Sequence, residues 1–76
     1  MHDTIHARIS EEGGYFVASC QELFVVSQGP SVSETVKNLQ EALRLYFEDE
    51  DPEALGFVSN PRLILTFETN LLAHVA

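Results

Sequence analysis

Three groups of residues have the types and spacing to bear on chemistry. His2 and His6 share a face if the first ten residues form one strand, with Asp3 beside them, which is the beginning of a metal site. A third ligand and an ordering outer shell are missing, so no metal is expected there. Ser19, Cys20 and Ser27 are the candidate nucleophiles, and each requires a histidine as general base. None lies within the two central strands, and His74 stands alone far downstream. Cys20 is the single cysteine, which excludes an internal disulfide and a thiolate zinc site; it reads as a small apolar residue on a strand. The third group is Glu48, Asp49, Glu50, Asp51 and Glu53, five of the twelve acids gathered around Pro52. The central Gly and distal Glu of a calcium-binding EF-hand loop are absent. Two readings of the run stay open, a solvated helix stop closed by Pro52 and a surface for a basic partner, and the five acids are the expected partner-binding set. Gly13-Gly14 precedes a strand rather than a helix and is no phosphate loop. The expectation is no catalytic residue, no cofactor and no enzyme activity.

Charge and length narrow the classes further. Twelve acids against four bases give a net charge of −8, which repels nucleic-acid backbones and suits a basic protein partner. Residues 1–76 are expected to form a single domain. A chain of this size buries only about 60% of the surface that its unfolded form exposes, so a partner or a second copy is expected to add stability. Hydrophobic residues make up 45% and charged residues 21%, a globular balance. No apolar run approaches the roughly 18 residues of a membrane span, and Met1-His2-Asp3 begins nothing like a signal peptide. A cytoplasmic location, with no membrane contact, is the expectation.

The elements that must position these groups follow from periodicity. Ile5, Ala7 and Ile9 alternate with His6 and Arg8, predicting a strand with one buried face. Gly13-Gly14 supplies a hairpin turn, Tyr15 to Cys20 a central strand, and Leu23 to Val26 a third strand leaving through Ser27-Gln28-Gly29-Pro30. Ser31 and Glu34 have capping-box spacing at the start of a helix, with Ser33 as an alternative cap. Val32, Val36, Leu39, Leu43, Tyr46 and Phe47 recur at three- and four-residue intervals, while Arg44 is spaced to pair with Glu41 and Glu48 on the wet side. After a link through Gly56, Asn60 and Pro61, Leu63 to Phe67 predicts a fourth strand, returning parallel to an earlier one. The apolar tail Leu71 to Ala76 is expected to extend that strand, dock on the core or pair with another copy. The predicted fold class is α+β: a three-stranded antiparallel meander, one amphipathic helix and a fourth strand, βββαβ.

Glu11-Glu12-Gly13-Gly14-Tyr15-Phe16-Val17-Ala18, then Ser27-Gln28-Gly29, then Ser33 to Leu43 with Asn38 and Glu41-Ala42, resemble the core of the HicB antitoxin family. The likeness covers roughly Ile5 to Glu48. This chain departs from the family at Leu23-Phe24-Val25, where members often carry a Leu-Pro-Gly turn before the third strand.

The resemblance implies a partial RNase H-like fold and a partner, a small basic HicA-type toxin that cleaves mRNA. Under it, Gly13, Gly14 and Gly29 form turns, Tyr15 is a core or interface aromatic, and Gln28 and Asn38 complete a structural motif. RNase H-like nucleases depend on a cluster of metal-binding carboxylates, whereas the only acids predicted within strands here are Glu68 and Asp3, so catalysis is not expected to be inherited with the fold. The stretch after Phe67 is too short for the DNA-binding helix-turn-helix that many relatives carry, so operator binding is not expected unless another protein supplies it, and no direct nucleic-acid binding is expected. The functional expectation is a type II antitoxin that masks such a toxin. The alternatives are an orphan HicB-like oligomeric adaptor, a homo-oligomer built through the C-terminal strand, and a small hydrolase using His6 or His74.

Overall fold

Alternation of apolar and polar residues carries directly into β1 (His2–Glu12), where Ile5, Ala7 and Ile9 are buried and His6 and Arg8 exposed. The computed structural model describes residues 1–69. Glu12 pairs with Tyr15 across Gly13-Gly14 to start β2 (Tyr15–Cys20). Both glycines have positive φ, +58° and +95°, as a two-residue turn matched to the strand twist requires.

The next element departs from the sequence reading. β3 is Val26–Gly29 rather than Leu23 to Val26, so Ser27-Gln28-Gly29 is the strand and not its exit. β-propensity had favoured the apolar run, but burial decides otherwise. Leu23 and Val25 turn inward from the β2–β3 loop as core plugs, Phe24 points fully into solvent, and the Cys20 amide donates to the Val25 carbonyl at 3.1 Å.

Helix α1 (Val32–Asp49) begins where expected. Ser31 is extended and its Oγ accepts the Glu34 amide at 3.1 Å. Among the described residues only this half of the capping box forms. The fully buried stripe is Thr35, Leu39 and Leu43, four residues apart, with Val32, Val36, Tyr46 and Phe47 half-buried on its flanks. Ala7 and Ala18, at 1% and 0% exposure, belong to the same buried core as this stripe.

A single 3-10 turn (Glu53–Leu55) closed by Gly56 at φ +87° leads into β4 (Phe57–Glu68). This strand begins six residues before Leu63 and contains Asn60 and Pro61, which the sequence reading placed in the link. Its pairing with β1 is irregular between His2↔Phe57 and Thr4↔Arg62, and this slack accommodates Pro61. From Thr4↔Arg62 to Ser10↔Glu68 the parallel register is unbroken.

The predicted class needs correction. The sheet is a single mixed four-stranded one in the order β3-β2-β1-β4, with antiparallel β1–β2 and β2–β3 pairs and a parallel β1–β4 pair. The physical reason lies in β1. Its second edge would leave a row of backbone donors and acceptors unpaired, and β4 satisfies them while Leu63, Leu65 and Phe67 extend the apolar row of Ile5, Ala7 and Ile9. The predicted three-stranded antiparallel meander, helix and fourth strand is thus corrected to one mixed four-stranded sheet, in which β4 lies parallel beside β1. The helix covers one face of the sheet, mainly over β3 and β2. The readings for His74 and the tail Leu71 to Ala76 lie outside the described residues.

Candidate functional site

The motif residues meet at one seam between β3 and α1. A Cβ on Gly29 would lie 2.9 Å from the Thr35 backbone nitrogen and 3.0 Å from its Oγ1, so the strand approaches the first helical turn too closely for any side chain. Thr35 is fully buried, and its hydroxyl donates to the Ser31 carbonyl at 2.7 Å. Ser27 Oγ donates to the Thr35 carbonyl at 3.1 Å, and Asn38 Nδ2 to the Gln28 carbonyl at 2.8 Å. Gly14, Tyr15, Gln28, Gly29 and Asn38 line one open notch beside this seam, while Gly13 faces open space in the turn. Thr35 and Ser27 were missed as members. The available signal was the four-residue spacing of Thr35, Leu39 and Leu43, masked by Thr35's polarity.

The five acids of the expected partner surface lie together where α1 ends. Glu48 and Asp49 occupy the last helical turn, Glu50 is the C-cap, Asp51 follows, and Glu53 opens the 3-10 turn; all five are exposed. Two have local partners. Glu48 pairs with Arg44 at 3.2 Å, and Asp51 Oδ1 accepts the Glu53 amide at 3.0 Å. Among the described residues the carboxylates of Asp49, Glu50 and Glu53 make no hydrogen bond. No base stands in the last turn of the helix, so these charges add to the negative end of its dipole rather than offsetting it.

Beside this ridge, the displacement of the helix toward β3 opens a cleft of about 380 Å³ between α1 and the start of β4. Ile5, Leu43, Phe47, Pro61 and Leu63 form its apolar lining, and Gln40, Arg44 and Glu48 its polar rim. The arrangement can hold an apolar anchor of a partner while the ridge engages surrounding cations.

The candidate catalytic residues are distributed differently. The His2 ring lies against Phe57 in a tilted contact, with ring centres 5.5 Å apart and planes at 46°. His6 instead joins Glu22, sixteen residues away. Its Nδ1 donates to Oε2 at 2.6 Å and its backbone amide to Oε1 at 2.8 Å. Partial burial raises the Glu22 carboxyl, but hydrogen bonds from the His6 ring and amide and from its own amide, with the His6 charge, outweigh this and hold it below its ordinary 4.5. Burial, and then the Glu22 charge, push the Cys20 thiol upward, away from the thiolate a nucleophile needs. Among the described residues no group of three metal-ligating side chains converges.

A UPF0150 protein of Helicobacter pylori (strain J99) is 34% identical to this chain over 55 residues, covering 72% of this chain and 76% of that protein. The chain belongs to the UPF0150 family. No family model matches it, and no solved structure matches it. Among the described residues of this UPF0150 chain, no helix is long and apolar enough to cross a membrane.

Proposed function

We propose that this chain is a HicB-type antitoxin, a cytoplasmic binding module that masks a small basic HicA-type toxin and so prevents mRNA cleavage. The observation that carries the reading is the exposed acidic ridge from Glu48 to Glu53 beside an apolar cleft. Its carboxylates stand in for the phosphates that the toxin's cations contact on RNA, and the cleft takes an apolar side chain of the toxin. The seam of Gly29, Thr35 and Asn38 holds α1 on β3 and thereby fixes where the ridge projects. The chain acts by occlusion, without catalysis of its own.

The reading is tested by co-expression with a small basic HicA-type toxin, followed by pull-down at rising salt. Nanomolar association that weakens with salt supports it. Absence of a complex at low salt removes it. A second reading, an oligomeric adaptor without a toxin, is favoured by one observation: the long outer edge of β4 carries no further strand among the described residues.

A further inference from the structure

The two edges of the sheet are unequal. β3 is four residues long and is tied to the helix through Ser27 and Asn38. β4 is twelve residues long, and its segment from Arg62 to Glu68 runs in unbroken register on β1, a straight edge whose outer backbone groups meet no other strand among the described residues. Such an edge is a template for pairing unless something blunts it.

The side chains on this segment select the partner. Leu63 to Phe67 carries no charge, and the charges that bound it, Arg62 and Glu68, are opposite in sign and lie three residues on either side of Leu65. We propose that the outer edge of β4 joins a second copy of this chain, antiparallel about Leu65, so that Arg62 of each copy faces Glu68 of the other. The same register sets Leu63 against Phe67, Ile64 against Thr66, and Leu65 against itself. Directly opposed residues of an antiparallel pair share a face. The two ion pairs therefore form on the open face of the sheet, and the leucines and phenylalanines meet on the helix side. Leu65, Phe67 and Ile64, now 38%, 46% and 44% exposed, are partly covered by this union.

The charges are available for it. Among the described residues Arg62 makes no ion pair, in a chain with a net charge of −8. Glu68 uses Oε1 for Arg8 of its own chain at 2.8 Å, which leaves Oε2 for Arg62 of the second copy. Sliding the register by two residues in either direction removes both pairs, so the pattern specifies one alignment. Two copies of so acidic a chain repel each other on the whole, and this edge offsets that with an uncharged stretch bounded by charges of opposite sign. The inference stands independently of the antitoxin reading.

Sedimentation velocity on the full chain tests it, with circular dichroism to show that each variant folds. Wild type is expected to sediment as a dimer. Arg62→Glu and Glu68→Arg each turn two attractive contacts into two repulsive ones, and each is expected to raise the dimer dissociation constant by about 10-fold or more. An equimolar mixture of the two variants restores both ion pairs in a mixed dimer and is expected to recover dimerisation. A monomeric wild type in the micromolar range overturns the proposal. So does a mixture of folded variants that remains monomeric, or a pair of variants that dimerise as well as wild type.

Discussion

Replacing Gly29 by alanine tests whether the β3–α1 seam organises the molecule. The Gly29 backbone is not in the left-handed region, so the expected damage is one of space alone. The added methyl meets the Thr35 nitrogen at 2.9 Å, Thr35 Oγ1 at 3.0 Å and the Glu34 carbonyl carbon at 3.2 Å. Two of these atoms are backbone in the first helical turn, anchored by the Ser31 cap, and cannot swing aside as a flexible side-chain end can. Either the strand or the helix start must retreat by several tenths of an ångström. Overpacking of this kind costs about 1 to 3 kcal/mol, and weakening the bonds from Ser27 to Thr35 and from Asn38 to Gln28 adds about 1 kcal/mol. A total of about 2 to 4 kcal/mol lowers Tm by roughly 10 to 25 °C in a domain of this size. Thermal unfolding followed by circular dichroism reads the change. Gly13→Asn is the control: a Cβ there meets nothing within 4 Å, and asparagine tolerates φ +58°, so Tm is expected to stay within about 3 °C. Gly29→Ala melting with the wild type would refute the close approach.

Three further outcomes are expected. Ser31→Ala removes the helix cap and lowers stability by about 1 kcal/mol, read as the urea midpoint at unchanged slope. Because the folded Glu22 carboxyl lies below its ordinary 4.5, its stabilising contribution is complete above that pH and is lost as pH falls through the lower folded value. Urea titrations between neutral pH and pH 3 should show wild type ahead of Glu22→Gln at neutral pH, with the gap closing in acid; a gap that widens contradicts the His6–Glu22 assignment. Reversing Asp49, Glu50 and Glu53 to lysine is expected to slow association with the basic toxin about 10-fold or more at low salt, by stopped-flow fluorescence. Tm should change little, since these carboxylates make no hydrogen bonds among the described residues; a large fall would show that the ridge is structural instead.

Signals confined to a few neighbouring residues were legible in the sequence. Gly13-Gly14 announces its turn because positive φ excludes most side chains, and Ser31 its cap because the interaction spans three residues. Arg44 likewise meets Glu41 and Glu48 as their spacing implies. Features settled by tertiary contacts were not. Ser27 and Gln28 look like loop residues until Thr35 and Asn38 bond to them, and Leu23 to Val26 looks like a strand until Val25 is drawn into the core. Asn60-Pro61 signals a break, yet the irregular register beside His2 and Thr4 absorbs it and β4 continues through. Of the candidate site, the acidic run was evident from composition. The cleft beside it was not, because it depends on how far α1 sits toward β3. The His6–Glu22 pair joins residues sixteen apart that only the sheet brings together.

The most direct test of the account is a titration of RNA cleavage. A fixed amount of a small basic HicA-type toxin is mixed with increasing amounts of this chain, and the cleavage rate of a messenger RNA substrate is followed. The account predicts a linear fall to zero at a fixed stoichiometry, with the lysine-reversed ridge variant requiring a large excess. Cleavage that continues undiminished at saturating chain, or a folded ridge variant that protects as well as wild type, would contradict it.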